Sequence, residues 1–251
     1  MVIIRNEQRI KRLRLVSQIV SFMGMGALLA GLVLIFVSQE DSAAVLVYQL
    51  AALFIGYLLS QVGIYLAHLY VRSPRPDEVL DDALKGYAKG KNGRIYHYIL
   101  PVRHVLLLPT GIIILNAKYQ TGKISVDGDK WQQKGLGMRR IFGQENLGNP
   151  TRETENSVAA LANFINKHAP DVTEVPIAAL IVFTSKGLTE YDLKKSSIPA
   201  MPFNKVKKYL QQKGGKTPIP QADYDAIRAA FDALAMQKGA LGTNEAAVSV
   251  E

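Results

Sequence analysis

Two stretches without a charged residue, 16–38 and 43–71, dominate the first third of the chain. Each is longer than the ~20 apolar residues that a helix needs to cross a hydrocarbon core about 30 Å thick. Only Gln39, Glu40, Asp41 and Ser42 separate them. A connection that short holds no domain, so the spans, at about 16–38 and 43–71, are expected to run antiparallel as a transmembrane hairpin.

The flanking charges orient this hairpin. Arg5, Arg9, Lys11, Arg12 and Arg14 precede the first span, Arg72 and Arg75 follow the second, and the turn between them carries only acids. The positive-inside rule then predicts a multi-pass membrane protein of two spans, with residues 1–15 a basic cytoplasmic arm and both termini and the soluble part cytoplasmic. The length of the first apolar run argues against a cleaved signal peptide, whose apolar region covers about 7–15 residues. Ala27-x-x-x-Gly31 and Gly56-x-x-x-Ser60 would let the two helix backbones approach closely. Tyr65, His68 and Tyr70 suit the interface at the end of the second span. No acid or base lies mid-span, which leaves no groups for a proton path or an ion channel.

Ser73-Pro74-Arg75-Pro76 is a stiff, helix-incompatible linker, and a domain over 76–213 is expected after it. Residues 77–88 read as an amphipathic helix and 89–94 as a basic turn. Strands follow at 95–100, 102–108 and 111–119, with a weaker fourth at 123–126 closed by Asp127-Gly128. Residues 134–149 are rich in Gly, Arg and Lys without periodicity and read as a long loop. Pro150 opens a helix over 151–168, the apolar run 175–183 reads as a buried strand, and 198–202 is a short strand leading into a helix over 203–213. A C-terminal helix is expected within 214–237 and a disordered tail over 238–251. The fold class is therefore α/β: an N-terminal two-helix transmembrane hairpin followed by a mixed sheet flanked by helices.

Composition narrows the chemistry. The chain has no cysteine, which removes disulfides, thiolate zinc sites and cysteine nucleophiles. A formal charge of +9 suits a phosphate backbone or an anionic lipid surface, and equally a plain solvated basic face. His97 and His104 read as structural histidines. Gly135-Leu136-Gly137 follows no clear strand and opens no apolar helix, so it is no dinucleotide fingerprint, and no Walker A lysine or Gly-x-Ser-x-Gly elbow is present.

The informative stretch is 102–131. An apolar strand from His104 turns at Pro109-Thr110-Gly111 into a second strand that ends in Asn116-Ala117-Lys118. Period 2 puts Asn116 and Lys118 on one face. That is the layout of a Glu-x-Lys metal-hydrolysis signature with an amide in place of the acid.

His104-Val105 with Pro109-Thr110-Gly111, Ile114-Leu115-Asn116-Ala117-Lys118, Gly122-Lys123-Ile124, Gly128-Asp129-Lys130-Trp131, Asn149-Pro150-x-x-Glu153 and Val182-Phe183-Thr184 follow one another in that order. Together, over about 76–209, these words resemble the nuclease-related domain, NERD, of the PD-(D/E)XK nuclease-like superfamily. The resemblance implies a PD-(D/E)XK-like mixed sheet. In active members an aspartate and a glutamate hold Mg²⁺ and the lysine orients or polarises the attacking water. Mapped onto this chain, the aspartate position is Arg103, the glutamate position is Asn116, the lysine is Lys118 and the helical glutamine is Glu153. A permanent cation at 103 would repel the metal, and one neutral amide oxygen is a poor ligand.

Three readings follow. The first is a membrane-anchored NERD-like domain without hydrolysis, a pseudoenzyme that needs no cofactor and binds nucleic acid or another anion. Lys91, Arg94, Arg139 and Arg140, with Lys89 and Lys134, are its expected phosphate contacts. The second is a Mg²⁺-dependent nuclease with carboxylates relocated among Glu78, Asp81, Asp82, Asp127, Asp129 and Glu153. The third is a membrane scaffold whose partners are lipid or protein.

Overall fold

The computed structural model describes residues 1–37, 43–87, 92–137, 146–172, 175–215 and 217–241. The acidic turn at 39–42 and the tail expected to be disordered lie outside the described residues, apart from 238–241. Two compact units divide the chain: Met1–Arg9 with Pro76–Gly135 and Leu147–Glu251 form one, and Ile10–Arg75 with Leu136–Asn146 the other.

The second unit contains two helices long and apolar enough to cross a membrane, α1 (Glu7–Val37) and α2 (Ala43–Tyr70). Ser17, Gly24 and Gly31 are buried on α1 and Gly56 and Gly63 on α2, in each case seven residues apart. That interval is the repeat of a left-handed helix pair, and small residues there bring the backbones together. A Cβ on Gly24 would stand 2.8 Å from the backbone nitrogen of Ser60. Ser17 Oγ donates to the Gly63 carbonyl at 2.9 Å. The expected Gly56 and Ser60 thus do face α1, whereas Ser17 and Gly24, rather than Ala27, complete the seam with Gly31. Phe22, Phe36, Tyr48 and Phe54 are exposed, which suits a lipid-facing surface and not a soluble core.

The first unit is built on a six-stranded sheet in the order β1-β2-β3-β4-β7-β9. Its centre is β2 (Arg94–His97), β3 (His104–Leu108) and β4 (Gly111–Lys118), paired antiparallel, with β7 (Ile177–Phe183) parallel to β4 and β9 (Ala200–Pro202) parallel to β7. Alternation along β3 and β4 sends side chains to two cores. Val105, Leu107, Ile112 and Ile114 pack with α4 (Pro150–His168) and α6 (Gln221–Gln237). Leu106, Leu108, Ile113 and Leu115 pack with α3 (Pro76–Leu84) and α5 (Phe203–Lys213). Full burial of each such side chain favours folding by roughly 1.5–3 kcal/mol, so both faces contribute to a three-layer sandwich. Gly111, at φ +126, makes the β3–β4 turn possible, because a Cβ there would sit 2.7 Å from the Pro176 carbonyl.

Several elements differ from expectation. Residues 1–15, expected as a basic N-terminal segment, include a strand: Val2–Arg5 form β1, parallel to β2 at the sheet edge, with Val2 against Arg94 and Arg5 against His97. The strand expected over 95–100 stops at His97, where Tyr98 takes φ +62 and turns the chain. The helix expected over 77–88 ends at Leu84, and Gly86 at φ +81 follows. The weak fourth strand is β5 (Gly122–Asp127), and it leaves the main sheet. With β6 (Lys130–Lys134) and β8 (Leu188–Asp192) it forms a second, three-stranded sheet, packed on Ile181 and Phe183 through Ile124 and Leu193.

Candidate functional site

Asn116 and Lys118 alternate with Ala117 and share the face of Ile112 and Ile114, so both meet α4. That helix has a well-defined start. Asn149 caps it by accepting the Arg152 N–H at 3.1 Å, and Pro150 supplies a first residue that needs no N–H partner. The start is braced from the second sheet: Trp131 Nε1–H donates to Thr151 Oγ1 at 2.9 Å, and that hydroxyl donates to Asp129 Oδ1 at 2.9 Å. Asp129 is held below the usual carboxylate range chiefly by the Ser197 N–H, with Thr151 adding to it.

The Asn116 amide is fixed by its surroundings. Its Nδ2 donates to Thr154 Oγ1 at 2.8 Å and to the Pro150 carbonyl at 3.3 Å. Thr154 spends its own proton on that same carbonyl, at 2.7 Å. Both partners therefore present lone pairs, and only a donor satisfies them. A carboxylate in this orientation would set oxygen against oxygen.

Lys118 is nearly buried, with 10 % of its side chain exposed, and its Nζ lies 2.5 Å from Glu153 Oε2. Glu153 sits in the first turn of α4, where a carboxylate complements the helix dipole. The lysine thus faces a carboxylate whose side chain is 48 % exposed. Arg103 precedes β3, is exposed, and accepts the Tyr98 N–H on its carbonyl at 2.7 Å. Carrying the Val105–Ile114 pairing two residues outwards sets Arg103 opposite Asn116.

The structure thus brings Asn116, Lys118 and Glu153 together where β4 ends against the start of α4, with Arg103 just before β3. It does not bring Arg94 there. Read as part of a basic turn open to phosphate, Arg94 instead begins β2, is buried, and holds both Asp232 oxygens at 3.0 Å while donating to Tyr96 Oη at 3.1 Å. Burial pulls its pKa down, but Tyr96 and Asp232 more than offset this, so it stays charged and joins α6 to the sheet. Lys89, Lys91, Arg139 and Arg140 lie outside the described residues. Lys134 is exposed at the end of β6.

The donor set does not fit Mg²⁺. Among the described residues no three His, Asp or Glu side chains gather where they could hold a metal ion. Asp81 is taken by Arg5 and His97, Asp127 by Lys195 at 2.8 Å, and Glu153 by Lys118. A hard cation that seeks several oxygens meets here one engaged carboxylate and one amide, with a guanidinium on the neighbouring strand.

One constellation was not legible as such. His97 and His104 face the α3 side, opposite to Asn116, and their Nδ1 atoms are 2.8 Å apart. His97 Nε2 lies 2.9 Å from Asp81 Oδ1, and the Arg5 guanidinium contacts Asp81 and stands 2.7 Å from Asp77 Oδ2. The His97 tautomer decides which ring donates across this contact. His104 is held well below the ordinary histidine range by burial first, then by His97, Arg103 and Arg5. The i, i+4 spacing of Asp77 and Asp81 on the inner side of a helix was the available signal.

The site thus lies in an α/β domain in which a mixed sheet is held between two helical layers and an Asn-x-Lys strand end faces a helix N-terminus. The family model described as NERD, nuclease-related domain, matches residues 77–184, so that stretch is similar to a nuclease-related domain. The match runs from the start of α3 to the end of β7 and leaves out β1, both long apolar helices, β8, β9, α5 and α6. No curated protein and no solved structure gives a significant match to the chain.

Proposed function

We propose that this protein is a membrane-anchored nuclease-related domain that does not hydrolyse nucleic acid and uses its basic residues to contact phosphate-bearing partners without cutting them. The observation that carries the reading is the Lys118–Glu153 contact beside an amide-locked Asn116. The lysine that would polarise a water is neutralised, and the position that would hold the cation is fixed as a hydrogen-bond donor. Arg103 adds a permanent positive charge where a ligand is needed.

Support for the anchor comes from the chain's path. β1 and α3 flank the two long apolar helices in sequence and belong to the same compact unit, so both ends of the hairpin return to one body. The lysine and arginine bias assigns that side to the cytoplasm. The test is incubation of the intact protein, in detergent or nanodiscs, with single- and double-stranded DNA and RNA in Mg²⁺ or Mn²⁺. No metal-dependent cleavage is expected. Cleavage that disappears in Lys118→Ala overturns the proposal in favour of a nuclease with a relocated acid.

A further inference from the structure

The base of the hairpin is the most one-signed part of the hairpin unit. Arg14 of α1 donates from Nε to the Tyr70 carbonyl at the end of α2, at 3.4 Å. Arg72, just beyond α2, lays its guanidinium against the His68 ring, 3.4 and 3.5 Å from the two ring nitrogens. Lys11 and Arg12 lie one turn or less before Arg14, and all four cations are exposed. No carboxylate among the described residues pairs with any of them. Between Ile10 and Arg75 the only acids in the sequence are Glu40 and Asp41, between the two charge-free runs.

Their height matches one layer of a bilayer. Headgroups add about 5–7 Å to each side of a hydrocarbon core about 30 Å thick. At about 1.5 Å per helical residue, Arg14 and Arg12 fall roughly 2 and 5 Å outside Leu15, the first residue after the last charge before the apolar run. Arg72 is the first residue after the second run ends at Val71. The Arg14 contact with Tyr70 brings the two helix ends to the same level. One guanidinium on α1 and one just after α2 thus stand at phosphate depth, with no carboxylate partner among the described residues.

We propose that Arg14 and Arg72 form a binding site for the phosphate of an anionic phospholipid headgroup, with Lys11 and Arg12 at its rim. The proposal rests on the reading of α1 and α2 as membrane spans and gives their base a specific ligand. It differs from diffuse attraction to a charged surface because two residues, one on each side of the hairpin, carry it.

The experiment is native mass spectrometry of the full-length protein released from mixed micelles of phosphatidylglycerol and phosphatidylcholine. The wild type should retain phosphatidylglycerol at least fivefold over phosphatidylcholine, and Arg14→Gln with Arg72→Gln should abolish the preference. Removing equal charge from α5 by Lys205→Gln with Lys208→Gln should leave it unchanged, and circular dichroism should show unaltered helix content in both. Equal retention of the two lipids, an unchanged preference in the arginine variant, or competition by free inorganic phosphate or DNA overturns the headgroup site. Alkaline extraction separates this from the anchor itself: a protein that stays in the membrane pellet without lipid preference loses only the headgroup site, whereas release into the supernatant overturns both.

Discussion

Arg5 Nε stands 2.7 Å from Asp77 Oδ2, so a residue just before the first long helix forms an ion pair with one just after the second. The same guanidinium reaches Asp81, and Asp77 is completely buried. Removing Arg5 takes a counter-charge from that buried carboxylate, and breaking a buried pair typically costs about 3–5 kcal/mol. Arg5 itself is 19 % exposed, so the lower end is expected. Arg5→Ala should lower the unfolding midpoint of the intact protein by several degrees, and Arg5→Lys by less. A fragment starting at residue 76 would lack β1 and the clamp, and should be less stable than the intact domain by a similar amount.

Acid should weaken the domain through His104. Its folded pKa is depressed, by burial first and then by His97, Arg103 and Arg5, so below about pH 6.5 the unfolded chain binds more protons than the folded one. Stability is then complete above that pH and falls as pH drops towards the folded value, by at most about 1.4 kcal/mol per pH unit for one proton. Urea unfolding at pH 7 and pH 5.5 should show the loss. His104→Asn, which keeps a donor near His97, should flatten it.

Restoring a carboxylate at the glutamate position should not restore a metal site. In Asn116→Asp an oxygen would face the Pro150 carbonyl and Thr154 Oγ1, both used as acceptors, at a cost of about 1–3 kcal/mol for the unmade bonds. The variant should melt at a lower temperature than the wild type. Adding Mg²⁺ should recover little of the loss, and a large metal-dependent gain would mean that the strand end can turn towards a cation.

Glu153 holds Lys118 away from outside anions. Glu153→Gln removes the negative charge while keeping an amide of similar shape, so Lys118 becomes available to a phosphate. Binding of a short fluorescent oligonucleotide to the intact variant should tighten several-fold at low salt and weaken steeply as salt rises. Unchanged affinity would remove Lys118 from the set of phosphate contacts.

The legible parts of this molecule are those whose signal is local. Charge-free runs marked both long helices, and short continuous apolar runs marked β3, β4 and β7. Asn149-Pro150 marked the start of α4 through its capping chemistry. β1 was illegible because Val2–Arg5 is short and its partner β2 lies beyond the whole hairpin in sequence. β6 and β8 expose most of their side chains and carry little pattern. Arg94 was misread for a related reason: beside Lys89 and Lys91 it resembles a solvated turn, and the Asp232 that buries it is 138 residues away. Within the site, the motif spacing located Asn116, Lys118 and Glu153. The ion pair that joins the last two depends on where α4 docks, which only the fold decides.

The most direct test is metal-dependent cleavage by the intact, membrane-reconstituted protein, measured on labelled DNA and RNA over a range of Mg²⁺ and Mn²⁺ concentrations. With Lys118 bound by Glu153, Asn116 fixed as a donor and Arg103 in place of a ligand, the rate should equal that of a protein-free control. A rate that rises with metal and is lost in both Lys118→Ala and Glu153→Gln would show that these residues still form a working hydrolytic centre.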